Sequence, residues 1–107
     1  MGDSMDRRAA ERMPVNTGTA CSFAAPIAAE LGQVRIRDVS LDGVGLILVR
    51  RVEVNSLLVI GLENEARNIS KTMIVQVAHV TPVTGGFLVG GTFAEPLTYQ
   101  ELTALVM

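Results

Sequence analysis

One stretch limits this chain more than any other: "KTMIVQVAHVTPVTGGFLVGGTF", from Lys71 to Phe93. It holds two long runs rich in β-branched and apolar residues, and the glycine pair Gly85-Gly86 lies between them. Two strand-patterned runs that flank a glycine pair read as an antiparallel hairpin with a tight turn. A hairpin of this length must bury one face, so the rest of the chain is expected to supply further strands around it.

Those strands are legible upstream. Thr19 to Ile27 suggests a first strand, with Pro26 near its end, where a missing backbone N–H costs least. Gln33 to Ser40 alternates Val34, Ile36 and Val39 against Arg35 and Arg37, the mark of a half-buried strand. Val44 to Val49 is apolar and β-branched, and it follows an Asp-Gly turn, so it pairs antiparallel with the strand before it. Leu57 to Leu62 gives a fourth strand after the polar "RRVEVNS". Six antiparallel strands would leave exposed edges unless the sheet closes, so an all-β, six-stranded antiparallel barrel is expected over residues 19–107. Residues 1–18 read as an N-terminal arm: charged, then Pro14 and an Asn-Thr-Gly stretch. The tail "PLTYQELTALVM" changes period. Thr98 and Glu101 form a capping box, Leu97 and Leu102 are placed as a hydrophobic staple, and Leu102, Leu105 and Val106 make a short apolar stripe. A closing helix of about two turns is expected to lie against the barrel.

Composition narrows the function. With 107 residues and 49% hydrophobic content, the chain has room for one domain with a core and little more. A formal charge of −2 excludes a strongly basic surface, so duplex nucleic acid is not an expected partner. Only 4% of residues are aromatic, which disfavours a barrel that stacks single-stranded bases. Apolar runs are broken every few residues by Arg, Glu, Asp or Gly, so no membrane span is expected. Cys21 is the single cysteine. This excludes an intramolecular disulfide and a cysteine-built metal site, and with no apolar signal segment at the start it fits a reduced, cytoplasmic setting.

Signals for catalysis are thin. His79 is the sole histidine and sits between Ala78 and Val80 in the fifth strand, a structural position before a catalytic one. "GVG" at Gly43 to Gly45 lacks the third spaced glycine and the following helix of a dinucleotide fingerprint, and no phosphate-loop Gly-Lys-Ser/Thr occurs. The chain is not expected to be an enzyme, and no cofactor is expected.

Two short motifs remain. "DRRAAER" near the start packs three arginines into seven residues, with Arg8 and Arg12 four apart. After 25 intervening residues comes "DVSLDG", Asp38 to Gly43. Taken alone, the second needs to be no more than a hairpin turn: Asp-Gly takes the left-handed angles of a type I′ turn, and Asp and Ser bond local backbone.

Together, Arg-x-x-x-Arg ahead of the first strand and Asp-x-Ser-x-x-Gly at the end of a later one resemble the PilZ domain, the bacterial receptor module for cyclic di-GMP. The likeness runs from about residue 6 to the end, through the six-strand pattern, the late "GGTF" (Gly90 to Phe93) and the closing helix. It implies a receptor, part of second-messenger signalling, that binds cyclic di-GMP through Arg8, Arg12, Asp38, Ser40 and Gly43. In this family an arginine just before the arm motif accompanies two intercalated ligands, so Arg7 implies two cyclic di-GMP molecules per chain. The implied consequence is an ordered arm and a changed surface presented to an unidentified downstream protein.

The residue chemistry agrees with what the resemblance implies. Arginine pairs with guanine O6 and N7, binds phosphate, or stacks through its planar guanidinium. Asp38 can accept from the guanine N1 and N2 hydrogens, Ser40 can donate, and Gly43 admits close approach to the backbone. Arg35 and Arg37 read as a solvated strand face pairing with Glu30 or Asp42, and Arg50, Arg51 and Arg67 as surface charges. The alternative is a PilZ-like adaptor that no longer binds nucleotide and acts by protein contact.

Overall fold

The computed structural model describes residues 11–24 and 30–107. Arg7, Arg8 and the far end of the expected first strand lie outside them. The described chain is mostly antiparallel β. Its strands are β1 (Met13–Pro14), β2 (Thr19–Phe23), β3 (Val34–Val39), β4 (Gly43–Leu48), β5 (Leu57–Asn64), β6 (Ile69–Val83) and β7 (Gly86–Phe93). One 3-10 turn (Glu65–Arg67) joins β5 to β6, and one helix, α1 (Tyr99–Val106), closes the chain.

The strands form one sheet in the order β1-β3-β4-β7-β6-β5-β2. Every pairing is antiparallel. The sheet curls into a half-barrel, and β2 and β3 approach each other across its open side without forming a ladder. The expected closed, six-stranded barrel is therefore corrected on both counts. The extra strand is β1, which lies inside the expected arm and pairs Met13 with Val39 and Pro14 with Asp38. Two residues with a proline carry no alternating pattern, so only the partner strand identifies them.

Alternation sets the core. Val44, Leu46 and Leu48 of β4, Met73, Val75 and Val77 of β6, and Val89 and Phe93 of β7 point into the curl, with Leu58, Ile60 and Leu62 of β5 facing them. α1 lays Leu102 and Leu105 on this core, and Leu97 just before the helix is buried with them. The capping box is present as read: the Thr98 hydroxyl accepts from the Glu101 N–H at 3.1 Å, and Glu101 Oε1 accepts from the Thr98 N–H at 2.9 Å. Lys71 of β6 donates to both Glu101 oxygens at 2.9 Å, fixing the helix start to the sheet.

The other end of α1 holds the base of the arm. The Asn16 N–H donates to Leu105 O at 2.9 Å, and the Asn16 and Asn64 side chains both donate to Ala104 O. These bonds satisfy helix-end carbonyls that lack intrahelical partners. Residues 13–16 are thus pinned between β3 and the helix, which sets where Arg12 emerges.

Candidate functional site

The β3–β4 hairpin is shaped by Ser40. Its hydroxyl accepts from the Gly43 N–H at 3.0 Å and the Asp42 N–H at 3.2 Å, while the Ser40 N–H donates to Gly43 O at 2.9 Å. Ser40 is 2% exposed. Neither Leu41 nor Asp42 has positive φ, so the turn is not the type I′ that the Asp-Gly pair suggests. The serine side chain supplies the turn's internal bonding instead. The outward Leu41 and Asp42 carbonyls accept from the N–H groups of Leu97 and Phe93, at 2.9 and 2.7 Å.

Gly43 is held by packing from two sides. A Cβ there would collide with the Gly91 carbonyl of β7 and would lie 3.6 Å from Arg12 Nη2. The arm's guanidinium therefore rests over the start of β4. Its Nη1 is 3.9 Å from Asp38 Oδ1. Arg12 and Asp38, with 25 residues between them in sequence, meet on the outer face of the sheet.

Asp38 owes its position to a β-bulge. The β3–β4 register runs Ile36↔Leu46 and then Asp38↔Gly45, so Arg37 is the extra residue. A bulge bends its strand and re-aims the side chain beside it. Here the Asp38 carboxylate lies over Gly45, in the space a Cβ would fill. Its Oδ2 accepts from Arg37 Nε at 2.9 Å. The expected partners of Arg37, Glu30 and Asp42, are thus replaced by its own neighbour, because the bulge turns both side chains to one side. Oδ1 is buried and, among the described residues, has no hydrogen-bond donor. Arg12 gives it charge proximity at 3.9 Å, beyond hydrogen-bond range.

The row continues across the sheet. Gly45 pairs with Gly90 of β7, and Gly90 with His79 of β6. A second bulge falls at Ala78, between Val77↔Gly91 and His79↔Gly90. A Cβ on Gly90 would fall inside the His79 imidazole. Four strands thus present Asp38, Gly45, Gly90 and His79 in line on the outer face, a carboxylate and an imidazole laid over a two-glycine floor. The sequence reading missed this row. Its signal was two glycine pairs, in "GVG" and "GGTF", on strands flanked by a carboxylate and a histidine.

Of the residues read from sequence, the structure brings together Arg12, Asp38 and Gly43, with Ser40 buried beneath them; Arg7 and Arg8 lie outside the described residues. Two concave surfaces among the described residues lie elsewhere. One of about 440 Å³ is bordered by Glu63, Glu65 and Ser70, and another of about 480 Å³ by Arg67, Lys71 and Glu101. The first is acidic and repels anions. Among the described residues no three of His, Cys, Asp and Glu converge as metal ligands, and no helix is long and apolar enough to cross a membrane. Compared with models of known protein families and with curated protein sequences, the chain matches none.

Proposed function

We propose that the chain is a non-catalytic receptor for cyclic di-GMP of the PilZ type. The observation that carries this reading is the meeting of Arg12 with Asp38 over Gly43 and Gly45. The two motifs that imply the ligand are far apart in sequence, and a turn motif with no ligand role has no need of an arm arginine.

The chemistry at Asp38 supports a guanine. A buried acceptor without a donor costs roughly 1–3 kcal/mol, and a ligand N–H that reaches it removes that cost. Guanine N1–H and N2–H offer two adjacent donors to one carboxylate. Arg12 is then free to turn to phosphate or to the guanine O6/N7 edge. Ser40 shapes the turn, and Gly43 keeps the surface low. Arg8 and Arg7 bring further guanidinium groups from the arm, and two stacked ligands per chain is the stoichiometry the third arginine suits.

Hydrogen bonds to charged groups contribute roughly 1.5–3 kcal/mol each. Four or five of them, offset by association and arm ordering, correspond to an affinity near −8 to −10 kcal/mol, micromolar to submicromolar. Because Leu41 and Asp42 hold the N–H groups of Leu97 and Phe93, a ligand pressing on this turn acts on the lead into α1. That is a route to a changed surface for a downstream protein.

A second reading is an adaptor that works by protein contact without nucleotide. Leu57 and Ile74, 61% and 46% exposed on the outer side of β5 and β6, favour it. Calorimetric titration with cyclic di-GMP separates the two. The receptor binds, and Arg12→Ala and Asp38→Ala each remove most of the affinity; the adaptor gives no heat of binding and no ligand-dependent rise in melting temperature.

A further inference from the structure

His79 has no role in the two motifs, yet its placement mirrors that of Asp38. Each follows a one-residue bulge, each faces outward, and each lies over a glycine of the next strand inward. Those glycines are paired directly with each other. Cβ positions of a directly paired couple are about 4.5–5.5 Å apart. Since the carboxylate and the imidazole occupy those two positions, they stand on the order of 5 Å from one another. His79 is exposed, and no hydrogen bond or ion pair holds its ring among the described residues.

An exposed aromatic ring stands on the order of 5 Å from a carboxylate whose Oδ1 has no donor among the described residues, a separation within the span of one flat purine. A base that directs its N1 and N2 hydrogens at the Asp38 carboxylate extends toward the imidazole that covers Gly90. A side chain on either glycine would displace the carboxylate or the ring from its place. We infer that His79 is a ligand-binding residue, the platform on which the Asp38-bound guanine of cyclic di-GMP stacks. This inference rests on the receptor reading and adds to it a contact that neither motif contains.

Stacking a base on an aromatic side chain contributes enough that alanine substitution weakens binding by roughly 5- to 150-fold. His79→Ala is expected to weaken cyclic di-GMP about tenfold in calorimetric titration, whereas His79→Phe, which keeps a flat ring, stays within about threefold of wild type. The sole histidine of the chain also gives a single pair of imidazole proton resonances, which should move upfield as guanine covers the ring. The alternative is a ring that only shields the glycine beneath it from solvent. In that case His79→Ala lowers the melting temperature of the free protein but binds with wild-type affinity, and the imidazole resonances stay in place. That pattern, with Arg12→Ala still silent, overturns the His79 contact alone. Wild-type protein that takes no nucleotide overturns the receptor reading and the His79 contact together.

Discussion

The Asn64 side-chain amide donates to Asn16 Oδ1 at 2.7 Å, joining the end of β5 to the base of the arm. Asn64 is 2% exposed and fully used: it also donates to Thr19 Oγ1 and Ala104 O, and accepts from the Arg67 N–H. Asn16 in turn holds the last turn of α1. The position of Arg12 four residues earlier is thus set by a half-buried polar cluster built around Asn64.

Asn64→Ala removes the side-chain acceptor of the Arg67 N–H and the amide that donates to Asn16 Oδ1, Thr19 Oγ1 and Ala104 O, while Asn16 and Thr19 keep their bonds to each other and to the end of α1. Losing this cap and the amide's hydrogen bonds should cost about 1–3 kcal/mol of stability in denaturant unfolding. Ligand affinity should also fall at temperatures where the variant remains folded, because the arm base loosens. Asn64→Asp keeps the bond accepted from Arg67 but reverses the donors, and should be destabilised by a similar amount.

Gly45→Ala separates site from scaffold. The new methyl takes the place of the Asp38 carboxylate, which can swing outward only by leaving Arg12 and Arg37. Fold stability should drop by about 1–3 kcal/mol, the usual cost of overpacking, and cyclic di-GMP binding by at least about tenfold, through the loss of hydrogen bonds to a charged group. Gly91→Ala is the contrast. Its methyl meets Val75 and the Gln76 carbonyl, 2.8 Å away, so it should damage folding first. Thermal melts run beside titrations distinguish the two.

These glycines mark where sequence reading stopped. The strands from Val34 to Phe93, the capping box and the buried faces were legible because burial imposes a period of two on strands and the cap imposes a spacing of three. The bulges at Arg37 and Ala78 were not, since one unpaired residue leaves no mark on composition. Without them the outward row of Asp38, Gly45, Gly90 and His79 cannot be assembled, and His79 reads as filler. The turn was legible as a turn, but Ser40 replaced the glycine chemistry expected to shape it. β1 was hidden because only the register of β3 defines it. Arg12 and Asp38 were legible as candidates, but their contact depends on Asn16 and Asn64, which no motif marks.

Acid should loosen the helix first. Glu101 has its pKa lowered from 4.5 by the Thr98 backbone N–H and then by Lys71. A carboxylate with a depressed folded-state pKa adds stability that is fully present above the unfolded value and is lost as pH falls through the folded one. Wild-type melting temperature should therefore begin to decline as pH drops below about 4.5. Glu101→Gln should start lower at neutral pH and show a shallower acid limb; equal acid slopes in both proteins would contradict this role.

Burial pushes the Cys21 thiol up to about 12. Since thiolate is the reactive form, disulfide reagents at pH 8 should label native protein far more slowly than protein in denaturant. Labelling of native and unfolded protein at one rate would contradict the shielding of this thiol.

The most direct measurement is a calorimetric titration of cyclic di-GMP into wild-type, Arg12→Ala and Asp38→Ala proteins, each first shown to be folded by its thermal melt. The account predicts micromolar or tighter binding to wild type and near-complete loss in both variants, because the ligand needs the guanidinium and the carboxylate that meet over Gly43 and Gly45. Binding that survives unchanged in either variant, or a wild-type protein that takes up no cyclic di-GMP, would contradict it.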